Sequence, residues 1–150
     1  MVWKPNVTVA SVVELDDKFL LVEEHTRNGT MFNQPAGHLE HGESLLEAAV
    51  RETLEESAYA VEPIHLVGIY QWRIEDLTYL RFAFAARILS HDPSRRLDEG
   101  IVRAAWFTRD EIRASISRHR SPMVLQCVED YLGGSRHPLS LITHYPLEEA

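Results

Sequence analysis

Residues 37–59 read GHLEHGESLLEAAVRETLEESAY and contain the most clearly marked helix of the chain. Ser44 followed three residues later by Glu47 is a capping box, in which each side chain bonds the backbone amide of the other residue. A helix is therefore predicted from this point to about Ser57. At 100° of rotation per residue, one face of this helix is acidic and the other is predicted to pack on a sheet. The acidic face carries Glu52, Glu55 and Glu56, and the packing face carries Leu46, Val50, Thr53 and Leu54.

The acidic face of this helix predicts a site for a divalent metal ion. Like charges one helical turn apart repel each other by about a few tenths of a kcal/mol unless a cation lies among them. Ala48 and Ala49 flank this face, and their small side chains are predicted to leave room for a hydrated metal or a phosphate. A set of hard oxygen ligands suits Mg²⁺, with Mn²⁺ as a substitute, rather than zinc, which prefers nitrogen and sulfur. The alternative interpretation is a solvated acidic surface.

The same stretch resembles the signature of the Nudix hydrolases, the MutT-like family: G-x5-E-x7-R-E-U-x-E-E-x-G-U, with U a bulky aliphatic residue. The first glycine and all charged positions of the signature are matched, by Gly37, Glu43, Arg51, Glu52, Glu55 and Glu56. Two positions depart from it, because Thr53 replaces an aliphatic residue and Ala58 replaces the glycine that ends the family's helix. A left-handed cap at alanine costs roughly 1 kcal/mol relative to glycine, so the alternative is a helix that runs one residue further.

The resemblance implies a Mg²⁺-dependent hydrolase that cleaves a phosphoanhydride bond in a nucleoside diphosphate, a nucleoside triphosphate or a related diphosphate. In such a mechanism the metal neutralises the phosphates and lowers the pKa of a bound water. Arg51 is included among the implied catalytic residues, and it is expected to hold the loop and the helix together through salt bridges to Glu43. Gly42 is expected to be a structural residue of the same loop. The metal ligands implied by the resemblance are the Gly37 carbonyl, Glu52, Glu55 and Glu56.

The general base differs among members of the family, so the resemblance leaves several candidates. In some members it is a glutamate at the position of Glu52 or Glu56. In others it is an acid from a later loop, for which Asp98 and Glu99 are the candidates here, directly before a predicted strand. Of these two, Glu99 is predicted to be catalytic, and the alternative is an exposed loop acid.

Within the family, the string QPAGHLE at residues 34–40 resembles the NudJ-type phosphatases, which release inorganic phosphate from nucleotides and thiamine-pathway pyrophosphates. Trp72 is predicted to stack on the substrate's ring, and its alternative role is to close the edge of the core. Arg27, Arg81 and His38 are the predicted phosphate contacts. Two alternatives stay open: another Nudix specificity, for oxidised nucleotides or dinucleoside polyphosphates, and a non-catalytic ligand-sensing module.

The order of predicted elements indicates an α/β fold. Residues 7–13 are predicted as a strand that forms a hairpin with 18–22 across the Asp16–Asp17 turn, and 24–30 are predicted as a loop. Strands and helices then alternate, so one domain over 1–150 with an α/β/α sandwich around a mixed β-sheet is expected, as in the Nudix fold. The later elements are an antiparallel pair, a further strand and two helices, at 64–70 with 79–89, at 101–107, and from Thr108 and Ser121.

Composition restricts the class of partner. The chain has 150 residues and a formal net charge of −8, which argues against binding to a nucleic acid polymer, and the resemblance implies a small-molecule nucleotide or diphosphate as substrate. No apolar run approaches the ~20 residues of a membrane span, and the N-terminus lacks a signal peptide, so a cytoplasmic protein with no membrane contact is expected. Cys127 has no cysteine to pair with and is predicted to be a core residue. The oligomeric state is left open.

Overall fold

The computed structural model describes residues 2–148, whose helices and strands we number in chain order. The helices are α1 (Leu45–Ser57), α2 (Arg109–Ala114) and α3 (Met123–Leu132). The strands are β1 (Asn6–Val12), β2 (Glu14–Leu15), β3 (Lys18–Thr26), β4 (Gly29–Asn33), β5 (Ala36–His38), β6 (Tyr59–Ile74), β7 (Leu77–His91) and β8 (Ile101–Thr108). In this range no helix is both long and apolar enough to cross a membrane.

The strands form two four-stranded sheets. The first is mixed and has the order β5-β1-β7-β6, with β1 parallel to β7 and antiparallel to β5. In the second, β3 pairs with β2, β4 and β8, always antiparallel. The predicted antiparallel pair is present as β6 and β7, and both strands are longer than predicted. The mixed α/β fold expected from the sequence is confirmed.

Helices cover both faces of the mixed sheet, as successive side chains of β1 show. Because neighbouring residues of a strand point to opposite faces, Val9 and Ser11 face one side and Ala10 and Val12 the other. Val9 packs on Ala48 and Ala49 of α1, whereas Ala10 and Val12 share a core cluster with α3 through Val124, Cys127 and Val128. The predicted sandwich of helix, sheet and helix is therefore present, and Cys127 is a buried core residue.

Two predictions for the N-terminal third are wrong. The strand over 7–13 does not form a hairpin with 18–22, because β1 lies in the mixed sheet beside β7. Only β2 pairs locally with β3, across a turn in which Asp16 and Asp17 both have positive φ, 52° and 62°. The polar segment 24–30 is not a loop either: β3 and β4 continue through it and leave a turn at Arg27 and Asn28.

Helix α1 begins and ends where the sequence predicts. Ser44 Oγ accepts from the Glu47 amide at 3.0 Å, and Glu47 Oε1 accepts from the Ser44 amide at 3.1 Å, so the capping box is formed. The helix ends at Ser57, and Ala58 takes the left-handed conformation at φ 64°. The alternative of a longer helix is thus not adopted, because the Ala58 amide closes the last turn onto Leu54 O at 2.9 Å.

The face of α1 that packs on the sheet includes Thr53 as predicted but otherwise differs from the predicted one. Ala48, Ala49, Thr53 and Ser57 are fully buried, whereas Leu46, Val50 and Leu54 are only half-buried. The small alanines let the helix axis approach the sheet, so they do not leave room for a ligand as predicted. The contact is also polar in part, because Ser11 and Thr53 share a buried hydrogen bond of 2.7 Å.

Candidate functional site

Three carboxyl groups meet at the C-terminal half of α1. Glu52 and Glu55 lie on the helix and Asp98 on the loop before β8, and each offers an oxygen within 4.8 Å of the others. The Asp98 amide donates to Glu55 O at 3.0 Å, which fastens the loop to the helix. A set of carboxylate oxygens at this spacing fits a hard divalent cation. We call Glu52, Glu55 and Asp98 the acid cluster.

Gly37 lies against Glu52 so closely that no side chain fits between them. A Cβ atom built on Gly37 would lie 2.1 Å from Glu52 Cδ and 2.4 Å from both carboxylate oxygens. The glycine of β5 therefore lets the Glu52 carboxylate and the backbone at Gly37 share one small volume. This is a physical reason for glycine at this position that does not depend on φ.

Arg51 joins the loop after β5 to the acid cluster. Its Nε and NH2 donate to the two oxygens of Glu43 at 3.0 and 2.7 Å, and NH2 also donates to His38 O at 3.1 Å. Its NH1 donates to Glu52 Oε1 at 2.7 Å and to Glu55 Oε2 at 3.2 Å. The hydrogen bonds from Arg51 lower the pKa of Glu43, and those to Glu43 raise the pKa of Arg51. One guanidinium thus partly neutralises and orients the acids around it.

Two further members of the predicted set lie around this centre. Glu56 is outside the acid cluster, and its Oε1 accepts from the Ala36 amide at 2.9 Å. Burial raises the pKa of Glu56 to about 8 and raises the pKa of Glu52 as well. Gly42 has φ 85°, a left-handed conformation that favours glycine in the loop before α1.

The burial of Glu56 predicts how stability varies with pH in the metal-free protein. Because its pKa is raised, the folded state keeps the proton, and the free energy of unfolding falls as pH rises from 4.5 to about 8. Glu56→Gln removes this ionisation, so in EDTA the variant is expected to be more stable than the wild type by about 5 kcal/mol at pH 9 and nearly equal at pH 4. Urea unfolding at both pH values measures the difference, with the exposed Glu62→Gln as the control. Parallel stability curves for wild type and Glu56→Gln would contradict the prediction.

A cleft of about 880 Å³ leads away from Glu52 and Glu56. At its far end the rings of Trp72 and Tyr79 stack with centroids 5.7 Å apart and planes 26° apart. Trp72 is half-buried and belongs to none of the three core clusters of residues 2–148. The walls of the cleft also include Arg27 and His38.

Arg81 lines the same cleft but is only 3% exposed. Its NH1 donates to Gln34 Oε1 at 2.9 Å and its NH2 to Asn33 Oδ1 at 2.8 Å. It is therefore placed in the floor of the cleft, not on an open surface as a solvated arginine would be.

Some residues stand elsewhere than the sequence suggested. Glu99 is exposed and belongs neither to the acid cluster nor to the walls of the cleft, whereas its neighbour Asp98 does join the cluster. No local sequence pattern singles out Tyr79, although the register of the β6–β7 hairpin places it directly opposite Trp72. Glu24 and Arg120 also line the cleft, joined by a 3.2 Å salt bridge across 96 positions of sequence that no local pattern reveals.

Comparison with known proteins identifies the family. A family model described as a NUDIX domain matches residues 4–127. Phosphatase NudJ of Escherichia coli strain K12 is 42% identical over 141 residues, which are 93% of this chain and 92% of the relative. A NUDIX hydrolase of Nitrosomonas europaea with a solved structure is 55% identical, with a TM-score of 0.92 over 95% of this chain and 98% of that one. A MutT NUDIX hydrolase from Burkholderia pseudomallei shares the fold at 17% identity, with a TM-score of 0.71 over 85% of this chain and 98% of that one. The chain therefore belongs to the Nudix hydrolase family.

Proposed function

We propose that this Nudix hydrolase uses Mg²⁺ to cleave the terminal phosphoanhydride bond of a nucleoside diphosphate or triphosphate, or of a related ring-bearing diphosphate, and releases inorganic phosphate. One observation carries the proposal: a single cleft is lined by Glu52, through which it reaches the acid cluster, and by the stacked pair of Trp72 and Tyr79. The phosphatase name of the NudJ relative supports release of phosphate over release of pyrophosphate.

The residues of the chain divide the work along this cleft. The metal would be held by the acid cluster, the Gly37 carbonyl and Glu56. When bound, it would neutralise the phosphate charge and lower the pKa of a bound water. Mn²⁺ has the same preference for oxygen ligands and is proposed as a substitute. Asp98 replaces Glu99 as the proposed acidic residue from the later loop, because both are exposed but only the Asp98 carboxyl lies beside those of α1.

The remaining side chains of the cleft bind and orient the substrate. Arg51 holds Glu52 and Glu55 in place through its hydrogen bonds, so it acts as a positioning residue for the metal site. Trp72 and Tyr79 offer apolar faces to a base or another aromatic ring. Arg27 and His38 line the cleft and are proposed to contact phosphate oxygens.

A panel of substrates tests this function. The four nucleoside triphosphates, their diphosphates and thiamine diphosphate are incubated with the protein and Mg²⁺, and phosphate and pyrophosphate are measured separately. We expect phosphate from the nucleotides, with no turnover in excess EDTA. Pyrophosphate as the main product from triphosphates would overturn the proposed bond cleavage. Binding of nucleotides without any hydrolysis would instead support the ligand-sensing module.

Trp72→Ala separates ring binding from metal binding. Stacking of a base on an aromatic side chain is worth about 1–3 kcal/mol, so kcat/KM for a nucleotide is expected to fall about 5- to 150-fold. Inorganic triphosphate has no ring to stack, so its hydrolysis is expected to change little. The melting temperature should also change little, because Trp72 is outside the core clusters. Equal losses on both substrates would contradict the assignment of Trp72 to the ring, and Trp3→Ala, at a 66% exposed position, is the matched control.

A further inference from the structure

Arg81 is a buried cation bonded to neutral acceptors. Its two hydrogen-bonded side-chain oxygens belong to Gln34 and Asn33, both amides, and its third contact is Cys127 Sγ at 3.8 Å from NH1. The nearby carboxylate of Asp130 already accepts from the Tyr70 hydroxyl at 2.7 Å. Among residues 2–148, Arg81 Nε has no hydrogen-bond partner at all, although it is fully buried.

A purely structural role does not account for this arrangement. The network does connect β7 with β4 and α3, since Gln34 Nε2 donates to Val124 O at 2.7 Å. However, a buried charge bonded only to neutral groups is costly, and an unsatisfied buried donor adds to that cost. A neutral side chain of similar size could join the same elements without either cost. The orphaned Nε–H and the positive charge both indicate a missing acceptor that is negatively charged.

The position of Arg81 in the sheet shows where such an acceptor would lie. His38, Thr8 and Arg81 are directly opposite one another on β5, β1 and β7, so they share one face, and all three line the cleft. Strands are about 4.8 Å apart, so Arg81 lies about 10 Å across the sheet from His38 at the end of β5. Tyr79 lies two residues further along β7, about 7 Å away on the same face. Arg81 is thus between the metal end and the aromatic end of the cleft.

We propose that Arg81 binds an oxygen of the substrate phosphate on the ring side of the cleaved bond. In a diphosphate substrate this is the α-phosphate, which remains on the monophosphate product and is anionic whatever the ring. Arg81 would then select substrates with a phosphorylated ring-bearing group and hold the reacting phosphate at the acid cluster. The proposal rests on the proposed function for the identity of the ligand, but the binding itself needs no metal and is testable without turnover.

The first experiment observes the orphaned donor directly in the wild-type protein. In EDTA, the protein is titrated with AMP, GMP, CMP or UMP, and in parallel with the matching nucleosides, while the Arg81 Nε–H resonance is followed by NMR. We expect this resonance to move on addition of a monophosphate and to stay in place on addition of the nucleoside. An Nε–H resonance that stays in place at a saturating concentration of every monophosphate would overturn the proposal.

The second experiment measures the phosphate preference by calorimetry in EDTA. A hydrogen bond to a charged group contributes enough for a monophosphate to bind about 10- to 100-fold more tightly than its nucleoside. Arg81→Gln is expected to reduce this ratio below about threefold, whereas Cys127→Ala, which removes a contact of the same network and keeps the guanidinium, should preserve it. Unchanged preference in a folded Arg81→Gln protein would overturn the proposal, and the NMR titration decides the matter if that variant does not fold.

Hydrolysis assays separate this proposal from the proposed function. If the wild type hydrolyses no member of the panel but its Arg81 resonance responds to monophosphates, the proposed function fails and the phosphate site stands. If nucleotides are hydrolysed and Arg81→Gln keeps the wild-type KM and phosphate preference, the phosphate site fails and the hydrolase stands. With both correct, Arg81→Gln raises KM for nucleotides without changing the Mg²⁺ concentration needed for half-maximal activity.

Discussion

Replacing Glu52 by glutamine is expected to lower kcat/KM for the best nucleotide by about 100-fold or more. Its carboxylate contacts Arg51, lies in the acid cluster and fills the space in front of Gly37, so three parts of the site depend on it. Glutamine has the same shape and keeps one oxygen, but it removes the negative charge that attracts a divalent cation. Steady-state kinetics across a range of Mg²⁺ concentrations measure both the loss of turnover and the expected rise in the metal requirement.

Glu47→Gln is the matched control for this prediction. Glu47 lies on the same helix, but its side chain forms the capping box, in which glutamine is also accepted. The control is therefore expected to keep wild-type activity and a similar melting temperature. Near-normal turnover of Glu52→Gln at low Mg²⁺ would show that the acid cluster is only a solvated surface.

Gly37→Ala is expected to lower activity about 100-fold while leaving the fold almost as stable as before. The added methyl group overlaps the end of the Glu52 side chain, which is flexible and can rotate away, so the energetic cost to folding is small. The displaced carboxylate, however, leaves the acid cluster, and a shift of about 1 Å at a reacting centre costs on the order of 100-fold in rate. Melting temperature and kcat/KM measured on the same preparation give the two quantities.

Gly133→Ala serves as the control glycine. Gly133 caps α3 at φ −75°, a conformation open to alanine in which an added Cβ would lie 3.2 Å from Glu129 O, and it lies outside the cleft walls. Both substitutions add one methyl group, so only Gly37→Ala should separate activity from stability. A large drop in melting temperature for Gly37→Ala would instead mean that the added methyl group displaces the backbone and not the Glu52 side chain.

The features that the sequence predicted correctly depend on neighbouring residues. The capping box at Ser44 predicted the start of α1, and α2 begins after Thr108 as expected, where the structure shows a second box with Glu111; each box is formed by side chains three positions apart. The resemblance of 23 consecutive residues to the Nudix signature predicted both the fold and the glutamates of α1 as site residues. The turn at Asp16 and Asp17 could also be predicted, because aspartate tolerates positive φ better than most residues.

The features that it missed depend on contacts between distant residues. A helical wheel gives the angles among Ala48, Leu54 and Glu52, but not which sector the sheet covers. That sector is set by the close approach that alanine allows and by the Ser11–Thr53 hydrogen bond. In the same way, β1 leaves its sequence neighbour because β7, more than 70 residues later, offers a parallel partner inside the core.

The loop before β8 forms hydrogen bonds with the end of α1, and these bonds determine which segments unfold together in local unfolding. The last carbonyls of a helix lack partners within it, and here the Asp98 amide bonds Glu55 O and the Asp92 amide bonds Ala58 O at 3.1 Å. These two amides cannot exchange with solvent until the loop separates from the helix terminus, so loop and last helical turn form one cooperative unit of local unfolding. Asp98 belongs to an exposed segment of the chain. Its backbone nevertheless stays in place for as long as the last turn of α1 remains folded.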